Sequence, residues 1–92
     1  MPLEIVWSDY LKHRARVRGF KLAEIERILR FSSERYFDVA SGRYVVVGRH
    51  GEKLVLIPYE IVEDKLVPIT IHATSRQQIN FRIKTGRFVY VR

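Results

Sequence analysis

The sequence predicts an α+β domain with two N-terminal helices, an antiparallel meander of three to four strands, a C-terminal helix and a short final strand. Three observations carry this reading. Apolar residues recur at helical spacing early in the chain, the period turns to strand-like alternation from residue 36, and a second capped helix start appears at Thr74. A chain of 92 residues has room for one hydrophobic core and not for a second, so residues 1–92 are read as a single domain.

Leu3 to Trp7 is a short β-prone opening. Ser8 or Asp9 can then accept from the unpaired amides of a first turn, capping a helix that runs to Arg18. Gly19 tolerates the left-handed backbone that ends it. A second helix is expected from Leu22 to Arg30, because Leu22, Ile25, Ile28 and Leu29 share one face. Glu26 stands four residues before Arg30, the favourable order for an ion pair.

Three strands follow, Arg43 to Arg49, Lys53 to Glu60 and Leu66 to His72, each rich in Val, Ile or Tyr. His50 to Glu52 and Val62 to Lys65 are links of hairpin length, and Gly48 to Gly51 reads as a turn, so consecutive antiparallel pairing is the economical topology. Pro58 and Pro68 cannot donate to a ladder, which places them at edges, bulges or strand ends. Thr74, Ser75, Arg76 and Gln77 have the form of a capping box. Gly86 would end that helix, and Arg87 to Val91 would form the last strand.

Charge separates this chain from an ordinary globule. Lys plus Arg number 17 against 10 Asp plus Glu, for a net +7, and 12 of the cations are Arg. No carboxylate follows Asp64, while Lys65, His72, Arg76, Arg82, Lys84, Arg87 and Arg92 all do. Such an excess attracts phosphate polymers, and the guanidinium fork suits phosphate or carboxylate. RNA and an acidic protein partner both fit, although solubility alone also produces basic surfaces.

Several classes are excluded. Without cysteine there are no disulfides, no thiolate chemistry and no finger-type zinc site. Histidines and carboxylates do not cluster at ligand spacing, so no metal and no cofactor is expected. Phosphate loop, nucleophile elbow and dinucleotide fingerprint are all missing. No apolar run approaches the ~18 residues of a membrane helix, and the N-terminus does not read as a leader, so the expectation is a soluble, cytoplasmic protein without membrane contact.

Among candidate site residues, His72 ends the third strand, where a side chain projects from the sheet and an imidazole can act as acid or base near neutral pH. The plainer reading is a hydrogen-bonded histidine at a strand–helix corner. Arg76 lies in the first turn of the last helix, where backbone amides already favour an anion. Arg14, Arg16 and Arg18 of the first helix, with Arg49 and Arg82, are candidate phosphate contacts, or else a solvated face. In the last helix Ile79 and Ile83 share a face and Phe81 lies almost opposite. Phe81 with Lys84 is therefore a candidate partner contact, unless the final strand buries it. Tyr36, Tyr44, Tyr59 and Tyr90 could stack on bases or belong to the core.

The string from Trp7 through His13, Arg18, Gly19 and Phe20 to Ile25, then Val45 to Gly48, then Ile69, Thr70, Ala73, Thr74 and Arg76, resembles the BrnT-like toxins of type II toxin–antitoxin systems. These belong to the wider RelE/ParE group. It is similar also to a related domain family of uncharacterised function, in which a histidine precedes an Arg-Gly step after the first helix, as His13 precedes Arg18 and Gly19. The resemblance implies a RelE-like helix–helix–sheet–helix fold and metal-independent cleavage of mRNA. It also implies neutralisation by a DNA-binding antitoxin of ribbon-helix-helix type. His72 and Arg76 would be the catalytic pair. The chain departs from the pattern where BrnT-like sequences carry a basic residue, usually Arg, after the third strand's Ile-Ser-Ala: here Ile69, Thr70 and Ile71 lead to His72. The Ala-Thr pair comes one position early, and Gln77 and Gln78 stand where charged residues are common. The alternative from another class is a non-catalytic basic module docking RNA or an acidic protein.

Overall fold

A computed structural model describes residues 3–91; Met1, Pro2 and the cation Arg92 lie outside the described residues. The chain forms β1 (Glu4–Ile5), α1 (Asp9–Arg18), α2 (Leu22–Phe31), β2 (Arg35–Asp38) and β3 (Arg43–His50). It continues through β4 (Lys53–Val62), β5 (Lys65–Pro68), β6 (His72–Ala73), α3 (Arg76–Lys84) and β7 (Phe88–Tyr90). The described residues form a mixed α and β fold, with three helices on a seven-stranded sheet.

The helix ends follow local chemistry. The Ser8 hydroxyl accepts from the Leu11 amide at 3.1 Å, and Gly19 closes α1 at φ 77° with nothing near its Cα hydrogens, so backbone sign alone selects glycine there. Glu26 and Arg30 pair at 2.8 Å on α2. That helix has no side-chain cap of its own residue; the Lys21 amide donates instead to Nε2 of His50 at 2.9 Å. In α3 the cap is Ser75, whose hydroxyl accepts from the Gln78 amide, one residue later than the expected box at Thr74. Thr74 donates its hydroxyl to the Gln78 side chain.

Strands β3 to β5 form the expected antiparallel meander, and β2, which was not expected, adds antiparallel to β3. The sheet is wider than three to four strands because β7 adds antiparallel to β2 and β1 adds parallel to β5, giving the order β1-β5-β4-β3-β2-β7. Gly48 is not in a turn. It lies inside β3, where a Cβ would stand 2.7 Å from Cγ2 of Ile28, so glycine there lets α2 press onto the sheet.

The expected third strand is broken in two, and the break has a chemical cause. β5 and β6 both lie along one flank of β4, but Tyr59 pairs with Pro68 whereas Leu56 pairs with His72. Three steps along β4 thus face four along its neighbour, the signature of a bulge. Pro58 sits at this place; its carbonyl accepts from Ile69 on that flank, and having no N–H it cannot return a bond. A one-residue slip exchanges the faces. Leu66 and Ile71, an odd number of residues apart, therefore both enter the same core, while His72 turns to the opposite face beside Leu56.

Each face of the sheet has its own core. On one, Leu11 and Ala15 of α1 and Ile25, Ile28 and Leu29 of α2 pack on Val46, Val55, Ile57 and Ile71. On the other, Ile79 and Ile83 of α3 pack on Tyr36, Val45, Val47, Leu54, Leu56 and Phe88. Fully burying one such aliphatic side chain contributes about 1.5–3 kcal/mol. The second face has a single nine-residue helix, and it leaves part of the sheet uncovered.

Candidate nucleic-acid interface

The uncovered part of the α3 face is a cleft of about 440 Å³. Its floor is Val45, Leu56, Pro58 and Ile69, and its polar rim includes Thr70, His72, Gln78, Arg82, Arg43 and Arg87. His72 stands at the sheet's margin, since β6 pairs only with β4 and no described strand covers its other flank. Arg18, at the end of α1, reaches around this open edge. One guanidinium nitrogen, Nη1, donates to the Ile71 carbonyl at 2.7 Å and lies 3.2 Å from Nδ1 of His72.

That geometry fixes the imidazole. A guanidinium only donates, so the Nδ1 facing it holds a lone pair, and the ring proton of the neutral form is on Nε2. Burial, followed by the charges of Arg18, Arg14 and Arg82, holds the His72 pKa below the usual histidine value. The lowered pKa favours the uncharged imidazole, which with Nδ1 facing Arg18 donates from Nε2. Arg14 adds a buried Nε with no hydrogen-bond partner and lies over the Tyr10 ring at 5.6 Å. Arg82 lies over Phe88 at 5.4 Å.

Arg76 is elsewhere. It forms a two-pronged ion pair with Glu34, Nη2 to Oε1 at 3.0 Å with Nη1 on Oε2, and Glu34 also accepts from the Tyr36 hydroxyl at 2.7 Å. Burial raises the Glu34 pKa, but hydrogen bonds from Arg76 and Tyr36 and the Arg76 charge outweigh it, leaving the carboxyl below its ordinary value. Arg76 neither lines the cleft nor acts on His72, so the expected catalytic pairing of His72 with Arg76 is not assembled in this structure. The helix start that nominated Arg76 is real; the guanidinium is drawn to a carboxylate 42 residues earlier in the chain.

Among the described residues, ion pairs engage Arg27, Arg30, Arg43, Arg76 and Arg87. None engages Arg14, Arg16, Arg18, Arg49 or Arg82. Of these, Arg18 touches His72 and Arg82 lines the same cleft, while Arg14 bears on the imidazole through its charge. Arg16 stays on the exposed side of α1 beside His13, and Arg49 turns to the Glu52 carbonyl at 3.1 Å at the far end of β3. Phe81 is 66% exposed, so the last strand does not bury it, and Lys84 is exposed nearby. Tyr36 and Tyr59 are buried, whereas Tyr90 is exposed.

Thr70 and Gln78 enter the sequence reading only through the resemblance, Gln78 as a departure from it, and neither is read there as a site residue. Thr70 lines the cleft, and its hydroxyl oxygen is buried without a hydrogen-bond partner. The described residues hold no cluster of His, Cys, Asp or Glu suited to a metal ion, and no described helix is long and apolar enough to cross a membrane.

Comparison with known proteins yields no match: no family model, no curated protein and no solved structure is significantly similar to this chain.

Proposed function

We propose that this protein binds RNA through the cationic surface around His72, as the toxin of a type II toxin–antitoxin pair of BrnT-like character. The observation that carries the binding is that Arg18, 3.2 Å from His72, and Arg82, on the rim of the cleft His72 lines, have no carboxylate partner among the described residues, at a histidine on an open sheet edge. Unneutralised guanidinia at a cleft are the groups a phosphate backbone recognises, and releasing its counterions supplies the affinity. The order helix, helix, meander, helix supports the RelE-like arrangement, and an RNA target supports a cytoplasmic location. Exposed Phe81 beside Lys84, in a carboxylate-free segment, fits an antitoxin segment bearing apolar and acidic side chains.

One feature supports a cleaving enzyme over a binding module: His72 lines the cleft beside Arg82 and in reach of Arg18, and burial with the neighbouring charges lowers its pKa, which favours the neutral imidazole a general base requires. Metal-independent cleavage would use the RNA's own 2′-hydroxyl. His72 takes its proton, the 2′-oxygen bonds to phosphorus as the bond to the 5′-oxygen breaks, and that oxygen leaves with a proton from water. Arg14, Arg18 and Arg82 stabilise the charge on phosphorus. This step requires Arg18 to move from Nδ1 to the phosphate, freeing the lone pair it now occupies.

The test is induced expression of the wild type beside His72→Ala and the double variant Arg18→Ala/Arg82→Ala, scoring growth and mRNA integrity, with RNA binding of each purified protein. Growth arrest and mRNA decay lost in His72→Ala, with binding retained, establish the enzyme. Intact mRNA throughout, with binding lost only in the double variant, establishes the module. Because a bound phosphate raises the His72 pKa, binding takes up a proton, and affinity should rise as pH falls from 8 towards 6. An affinity independent of pH, or one unchanged in the arginine variant, defeats the reading.

A further inference from the structure

The face of the sheet opposite the His72 cleft is also covered incompletely. Helix α2 turns Ile25, Ile28 and Leu29 to the core and stops at Phe31. At that end lies a hollow of about 660 Å³, floored by buried Leu29, Tyr59 and Leu66 and walled by exposed Phe31 and Ile61. Strand register carries the apolar surface on from there. Tyr59 stands opposite Tyr44, Tyr44 opposite Phe37 and Phe37 opposite Val89, one row across four strands. The rings touch along it, Tyr59 with Tyr44 at 5.9 Å and Tyr44 with Phe37 at 5.4 Å between centroids.

Two cations line the hollow, and both are used within the chain. Arg30 pairs with Glu26 at 2.8 Å and donates to the Leu3 carbonyl at 2.7 Å. Arg35 donates to the Tyr59 hydroxyl and to the Leu29 and Ser32 carbonyls at the end of α2, where the helix dipole favours a positive charge. In a chain of net +7, the hollow therefore offers no free guanidinium to a polyanion or an acidic protein, and sets none against a like-charged copy. What it leaves uncovered is apolar. Phe31 at 78% exposure, Ile61 at 52%, Val89 at 51% and Tyr44 at 37% present roughly 400 Å² between them. A standard interface takes about 800 Å² from each partner, a little more than half of it apolar, so this patch supplies nearly the whole apolar share of one.

We propose that a second copy of this chain packs on this face, forming a twofold dimer. A copy of itself suits the surface because knob and hole occur side by side: Phe31 stands at the rim of the hollow it helps to line, off the stripe that α2 turns to the core. A twofold axis past that rim puts each Phe31 into the other copy's hollow, against Leu29, Ile61 and Leu66. One patch then serves both copies, as an isologous interface requires. The His72 cleft, floored by Val45 and Leu56 of the α3 core, lies on the other face, so both clefts of the dimer stay open. Dimerisation here goes beyond the RNA-binding reading and does not depend on it.

The experiment is sedimentation velocity of the full chain from about 1 to 200 μM, at low and at high salt. An apolar patch of this size should give a dimer in the micromolar range, so the wild type should pass from monomer to dimer across the series. The passage should move to lower concentration at high salt, because copies of like charge repel and salt screens them. Phe31→Ser and Ile61→Lys, both at exposed positions that the fold tolerates, should each raise the dissociation constant at least about tenfold, as loss of a central apolar anchor does. Phe81→Ser removes a similarly bare ring from α3, on the other face, and should leave the constant unchanged. A chain still monomeric at 200 μM, which would leave the hollow to a different partner, overturns the proposal. So does a dimer indifferent to both Phe31→Ser and Ile61→Lys, or one weakened as much by Phe81→Ser.

Discussion

The two corners of the α3 face both present arginine, and they differ in what the guanidinium meets. At the first turn of α3, Arg76 grips Glu34, which in turn accepts from Tyr36. At the β6 edge Arg18 touches His72, Arg82 lines the same cleft, and neither pairs with a carboxylate among the described residues; their charges, with that of Arg14, add to burial in lowering the His72 pKa. The Arg76 pair is closed on itself and, with side-chain exposures of 51% and 25%, is worth about 1 kcal/mol or less. The cluster at His72 is self-repelling without an anion. The cation to suspect of binding is therefore the one whose neighbours leave it unneutralised, whatever its position in a helix.

The largest expected effect tests that distinction directly. Arg18→Ala/Arg82→Ala should lower single-strand RNA affinity about 30- to 100-fold at low salt. It should also reduce the salt slope by about 1.4, from two phosphate contacts at about 0.7 each. Arg76→Ala should change affinity less than twofold. Titrations of the three proteins at several salt concentrations decide it, and a comparable loss in Arg76→Ala would erase the contrast between the corners.

A third arginine corner sets the scale for stability. Asp38 is buried, its side chain only 6% exposed, and accepts from Arg87 at 2.9 and 3.1 Å, from Ser41 and from the Ala40 amide. Burial raises its pKa, but these hydrogen bonds and the Arg87 charge outweigh it, so the net shift is downward. The unfolded chain then binds protons more readily. The contribution of Asp38 is complete above the ordinary aspartate value and is lost as pH falls below it through the folded value. Asp38→Asn should cost about 2 kcal/mol near neutral pH, and less at pH 3. Thermal unfolding of both proteins across pH measures it; a uniform cost at all pH values would show that geometry, not charge, matters there.

How much of this was legible beforehand depends on whether local chemistry decided it. Ser8, Gly19, the Glu26–Arg30 pair and the meander follow from rules acting over a few residues, and they stand as expected. β2, β1 and the place of β7 depend on pairing between distant segments, and the break at Ile69 to Ile71 depends on which flank of β4 the Pro58 nitrogen faces. Gly48 misled for the same reason: its cause is Ile28, twenty residues away. At the candidate site, the acid-free tail supplies His72 and Arg82, which line one cleft, whereas Arg18 reaches His72 from the first helix. Arg76 was separated from them by Glu34, a residue whose partner no local pattern reveals.

The smallest expected effect sharpens the comparison most. If the Arg76 corner is silent only because Glu34 neutralises it, Glu34→Gln should convert it from the closed kind to the open kind. The variant keeps the side-chain shape and an acceptor for Tyr36, but it removes the charge that holds both guanidinium nitrogens. Stability should fall by about 1 kcal/mol or less, because the pair is partly exposed. RNA affinity should rise about twofold and the salt slope by at most about 0.7, one added phosphate contact on the same face of the sheet as the cleft. Adding Arg76→Ala to Glu34→Gln should return both to the wild-type values. A gain in affinity that survives the second substitution would mean that removing a negative charge from the whole surface, not releasing one guanidinium, produces the effect.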